Sequence, residues 1–182
     1  MSETTLHRAV LDFWNHAGPE AWFAKSEAFD RQIKDQFEGL HHAAARGEID
    51  DWAVDWEGAL ALILLLDQFP RNLYRNSPHA YATDGKGLQV ALAAIKAGFD
   101  QAAPMPQRIF FYLPLEHAED RDLQTRCLGL VECTGNLDFI KYAKLHRDII
   151  ERFGRFPHRN AQLGRASTQA EIDFLGRGGF SG

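Results

Sequence analysis

The sequence predicts an all-α protein of about seven or eight helices, arranged as stacked antiparallel pairs. Three observations predict it. Apolar residues recur at steps of three and four along most of the chain. No segment alternates apolar and polar residues as a half-buried strand would. Cap residues, glycines and prolines also punctuate the text at short intervals, as tight helix-turn-helix neighbours require. The 182 residues, 45% apolar and 25% charged, have the balance of one ordinary globular domain. A single domain over residues 1–182 is therefore expected, with a loose tail, "RGGFSG", over 177–182.

The first helix is expected over residues 5–17, where Leu6, Val10, Phe13 and Trp14 share a stripe and Gly18-Pro19 supplies the stop. Phe29, Ile33, Phe37 and Leu40 mark the second, with Ser26 as its N-cap and Gly47 as its C-terminal stop. Trp52, Trp56, Leu60 and Ile63 define one face of a third helix over 51–68. That helix then turns apolar all round, which predicts a central, buried position. Pro70 is expected to end it, because proline lacks an N–H and disfavours a helical residue before it. Ser77-Pro78 should open a helix running to about Ala97, closed by Gly98. "PMPQRIFFYLPLEHA" predicts a shorter helix interrupted at Pro114. Two more follow, split at Gly135-Asn136, and a last short one is capped by Ser167 or Thr168.

A formal net charge of −5 argues against general nucleic-acid binding, which needs a basic face. The longest apolar run, "ALALILLL" at 59–66, is far too short to span a bilayer, so no membrane association is expected. Cys127 and Cys133 are six residues apart, a spacing that suits neither a zinc knuckle nor a redox pair. Two free thiols and a start that makes a poor secretory signal lead to the expectation of a soluble, cytoplasmic protein.

Three polar knots interrupt the helical text. In "LLDQFPRNLYRNSPH", Asp67 continues the buried face of the central helix and must be paired there, with Arg71 and Arg75 as the nearest partners. In "LPLEHAEDRD", Glu116, His117, Glu119 and Asp120 crowd beyond a proline. In "HRDIIERFGRFPHRNAQLGR", His146 lies on an apolar stripe, and Arg152, Arg155, His158, Arg159 and Arg165 follow closely. The phrase F-P-R-N at 69–72 returns as F-P-H-R-N at 156–160.

Two readings of these turns are open. In one, phenylalanine anchors the turn, proline ends regular structure, asparagine satisfies backbone groups and arginine pairs with an acid. In the other, guanidinium beside amide forms an anion clamp. The candidate ligand-binding set is then Arg71, Asn72, Arg75, Arg155, His158, Arg159 and Asn160, facing one groove. Asp67, Glu116, His117 and His146 are the candidates for proton transfer. Walker, H-E-x-x-H, G-x-S-x-G and G-x-G-x-x-G patterns are missing. No cofactor is specified and no metal site is assigned.

The blocks "VLDFW", "LALILLLDQFPRNLYR", "FYLPLEHAED" and "HRDIIERFGRFPHRNAQLGR" resemble the signature blocks of the bacterial domain of unknown function 924 family. The resemblance covers nearly the whole chain. It implies an all-helical fold similar to tetratricopeptide repeats, and it brings no activity. The function expected on these grounds is the binding of a small anionic molecule or an acidic peptide in a groove lined by the two turns. The alternative is an enzyme acting on an anionic substrate at the Glu116, His117 and His146 knot.

Overall fold

The computed structural model describes residues 3–181. It is all-helical, with no strand among the described residues and seven α-helices of eight residues or more. The chain divides into two compact units. The first holds the chain up to Arg75 together with His79–Pro114; the second holds Asn76–Pro78 and the chain from Leu115 onward.

In the first unit, α1 (Glu3–Trp22) breaks at Gly18, whose φ of 74° lies in the left-handed region, and resumes at Pro19. Helix α2 (Glu27–Arg46) starts where the Ser26 side chain accepts from the Phe29 N–H. It stops at left-handed Gly47, whose N–H donates to the carbonyls of Ala43 and Ala44. Its buried face reads Phe29, Ile33, Phe37, His41 and Ala44. Helix α3 (Trp56–Ile63) is capped by Asp55, which accepts from Gly58 N–H at 2.9 Å. Residues 59–66 are all at most 1% exposed, so the apolar run does lie in a core.

Pro70 does not end this helix. The path widens into a π turn over Leu64–Gln68 and continues as α4 (Phe69–Leu73). Phe69 N–H bonds back five residues to the Leu64 carbonyl, and Pro70 has no N–H to give. Side chains take the carbonyls of this stretch instead. His41 Nδ1 donates to Leu65 O at 2.8 Å, Thr83 Oγ1 to Leu66 O at 2.6 Å, and Arg71 to Asp67 O. Tertiary donors thus replace the backbone donor that proline removes.

A 3₁₀ turn over Pro78–Tyr81 precedes α5 (Asp84–Lys96), so that helix begins later than Ser77-Pro78 suggested. The Thr83 hydroxyl, at the N-cap position of α5, makes no cap bond because it serves Leu66. Helix α6 (Phe99–Ala102) and a 3₁₀ turn over Gln107–Phe111 follow. Phe69 packs 5.6 Å from Trp14 and 5.4 Å from Phe37, ring centre to ring centre. Phe110 packs on Trp14 and Trp22 at 5.4 and 4.9 Å. These rings form an aromatic core in favourable edge and tilted geometries.

The boundary between the units falls within α7 (Leu113–Glu116). In the second unit, α8 (Arg121–Glu132) is capped by Asp120, and α9 (Leu137–Phe153) begins at Asn136 and ends at left-handed Gly154. These two helices run antiparallel: Arg121 donates to Glu151 O, and Lys144 pairs with Glu132. A 3₁₀ turn over Pro157–Arg159 leads to α10 (Gln169–Gly176), opened by a capping box between Thr168 and Glu171. The small core holds Ile149, Ile150 and Phe156, with Leu145, Phe153, Phe174 and Phe180 against it.

Candidate functional site

The first turn is an ion-pair lattice within the first unit. Asp67 is completely buried on the π turn and accepts from Gln68 Nε2. Arg71 approaches Asp67 Oδ1 at 3.4 Å and grips Asp84 with two bonds of 3.0 and 3.1 Å. Burial disfavours the Arg71 charge, but Asp67 and Asp84 outweigh it and hold the guanidinium protonated. Asn72 donates to Asp30 at 2.8 Å, and Arg75 makes a two-pronged pair with the same carboxylate. Each arginine of this turn therefore faces a carboxylate of its own unit.

The second turn is built differently. Its Phe156 is fully buried, and charged or aromatic nitrogen groups surround the ring. The Arg159 guanidinium lies 4.5 Å from the Phe156 ring centre and donates to His117 O at 3.0 Å. The rings of His146 and His158 stand 5.4 and 5.7 Å from it, and His117 is 6.4 Å from His146. His146 and Arg159 are buried, while His117 and His158 are half-buried.

His146 Nδ1 lies 2.9 Å from Tyr142 O and 3.2 Å from Glu116 Oε1, two acceptors that fix the proton on that nitrogen. Burial, reinforced by His117, Arg159 and His158, pushes the His146 pKa down to about 3 against the pull of the Tyr142 carbonyl. The imidazole is thus neutral at pH 7, with Nε2 as an acceptor. Glu116 is itself buried, and Gln124 Nε2 holds its backbone carbonyl at 2.6 Å. Burial first, then the nearby Glu116, pushes the Cys127 thiol up.

The remaining groups brace the turn. Glu119 accepts from Arg165 at 2.6 and 2.9 Å and from Phe156 N–H at 2.8 Å. Burial opposes its charge, but Arg165 and the Phe156 N–H together bring its pKa below the usual carboxylate range. Arg165 also donates to Asn160 Oδ1, and Asn160 Nδ2 to Ser167. Arg155 pairs with Glu171 at 2.6 and 2.8 Å. Sequence reasoning missed Asp30, Asp84 and Glu171, which lie between 13 and 45 residues from their arginines. Only Glu171 carried a local signal, as the third residue of a capping box. Phe180, which lies 4.6 Å from His146 and 5.3 Å from His158, was also missed.

The sequence candidates fall in both units. Asp67, Arg71, Asn72 and Arg75 belong to the first, while Glu116, His117, His146, Arg155, His158, Arg159 and Asn160 belong to the second. Among the described residues, no group of three or more His, Cys, Asp or Glu side chains is arranged to hold a metal ion. None of the described helices is long and apolar enough to cross a membrane.

The family model described as "Bacterial protein of unknown function (DUF924)" matches residues 10–179. The solved structure of a protein of unknown function, ATU0120 from Agrobacterium tumefaciens, is similar at 48% identity and a TM-score of 0.94. The match covers 97% of this chain and 99% of that one. Among curated proteins, none matches.

Proposed function

The chain belongs to the DUF924 family of bacterial proteins of unknown function, and we propose that it binds a small anion at the second turn. The reading rests on one observation: Arg159 and the imidazoles of His146 and His158 gather around the single ring of Phe156, with His117 beside His146. In the second turn, Glu119 pairs with Arg165 and also interacts electrostatically with Arg159, while Glu171 pairs with Arg155. Arg159 supplies a fixed positive charge, and the half-buried His117 and His158 form a rim through which an anion reaches it. Neutral His146, held in one tautomer by Glu116, adds an acceptor for a ligand hydroxyl or N–H.

Calorimetric titration with inorganic phosphate at pH 7 and low salt tests the reading. One saturable site is expected, weakened about tenfold or more by Arg159→Lys, which loses the planar fork. Arg71→Lys should leave the affinity unchanged. Equal affinities in wild type and Arg159→Lys, or no saturable binding, would overturn it. A Glu-rich peptide that binds where phosphate does not would make the occupant a peptide terminus instead.

A further inference from the structure

Phe180, from the segment after α10, packs beside the second turn. Phe180 stands 4.6 Å from the His146 ring at 64° and 5.3 Å from the His158 ring at 82°. Both imidazoles also flank Phe156, so the same two flat groups border both phenyl rings. Phe180 packs against the core of Ile149, Ile150 and Phe156 and also against two imidazoles, which lose hydration when the ring covers them.

The delivery of this ring is specific. Helix α10 is closed by backbone bonds from Gly178 to Leu175 O and from Gly179 to Phe174 O, at 3.1 and 3.0 Å. Gly178 has a φ of +80°, and a Cβ at position 179 would lie 2.6 Å from Phe174 O and 2.7 Å from its ring. Two glycines therefore let the tail turn sharply against α10 before it presents Phe180. Residues 179–181 belong to no regular element, so few backbone constraints hold the ring in place.

We infer that Phe180 is a built-in occupant of a ligand slot, and that the ligand is an anion carrying a planar aromatic ring. The inference rests on the anion reading above and names its ligand class. The ligand ring would take the place of Phe180 between His146 and His158. Its negative group would meet Arg159, whose guanidinium lies over the adjacent Phe156. Displacement of Phe180 couples binding to release of the tail.

Benzoate is the probe, with acetate and phosphate as controls, against wild type and Phe180→Ala. Removing the competing ring should tighten benzoate about tenfold, and benzoate should exceed acetate by about three- to tenfold, the ratio a stacked ring supplies. Thermal unfolding confirms that the variant is folded. Should Phe180→Ala not fold, Phe180→Leu retains apolar volume without the flat ring and should still tighten benzoate about threefold. Benzoate affinity equal in wild type and variant, or equal to that of acetate, overturns the inference. If phosphate still binds and Arg159→Lys still weakens it, the anion reading survives alone. If no anion binds to either protein, both fall.

Discussion

Asp67 has no exposed surface, and its charge is held by partners close by in the fold. Arg71 supplies an ion pair and Gln68 a hydrogen bond, while Arg71 also bonds the Asp67 backbone. Asp67→Ala removes one half of a buried pair and leaves Asp84 as the carboxylate that faces Arg71. The loss should be about 3 kcal/mol, the lower end for breaking a buried pair, because Asp84 remains. Urea denaturation reads it, and a loss below about 1 kcal/mol would contradict the pairing. The partnership with Arg71 was legible, since four residues along a helix bring two side chains together. Asp84 and Asp30 were not, because nothing local in the text points across 13 or 45 residues.

At the scale of the element, helix ends were legible where a cap and a stop are written side by side. Ser26 with Gly47, and Gly135-Asn136 between α8 and α9, are such places. The π turn was not legible. Local chemistry says that Pro70 ends a helix, and that rule failed because donors from elsewhere satisfy the carbonyls. His41 comes from α2 and Thr83 from the start of α5, 24 and 17 residues away from the carbonyls they serve. The account makes the Thr83 hydroxyl part of the helix's hydrogen-bond ladder. Thr83→Val keeps the shape and strands the Leu66 carbonyl, so it should cost about 1–3 kcal/mol. Thr83→Ser keeps the hydroxyl and should cost less. Valine as stable as threonine, with serine weaker than both, would show that packing, not the hydrogen bond, matters there.

For the whole molecule, the perturbed groups set the pH range of stability. His41 and His146 are both pushed below 6.5 by burial, so the unfolded chain binds protons that the folded chain refuses. Their contribution is present above pH 6.5 and lost as pH falls toward about 3, the folded value of His146. Glu171 is held near 2 by Arg155 first, with the Thr168 backbone helping against burial. Its contribution is present above 4.5 and lost as pH falls through about 2. On the alkaline side, burial raises the Cys127 thiol and the Tyr112 hydroxyl, the latter also through its 2.8 Å bond to Asp100. Stability should then fall as pH rises above 9.0, where the unfolded thiol ionises first. Melting temperature against pH should show a plateau between about 6.5 and 9 with a fall on each side. A maximum below pH 5 would contradict these assignments.

The all-helical class was legible because it follows from a periodicity repeated over the whole chain. The candidate site was legible only as a list of residues. Glu116, His117, His146, His158 and Arg159 were each visible as unusual, but the grouping of His146, His158 and Arg159 around Phe156, with Glu116 and His117 against His146, depends on the end of α7, on α9 and on the turn after α9 meeting in one unit. Phe180 was hidden because a lone aromatic in a glycine-rich tail carries no periodic signal.

Histidine-resolved NMR of the imidazole carbons during a phosphate titration at pH 7 tests the central claim most directly. The protein carries its own controls, since His41, His42 and His79 lie in the first unit. An anion at the second turn should move the signals of His117 and His158 in a saturable way, leave those three still, and lose the effect in Arg159→Lys. Shifts confined to the first unit's histidines, or no saturable shift at His117 and His158, would contradict the account.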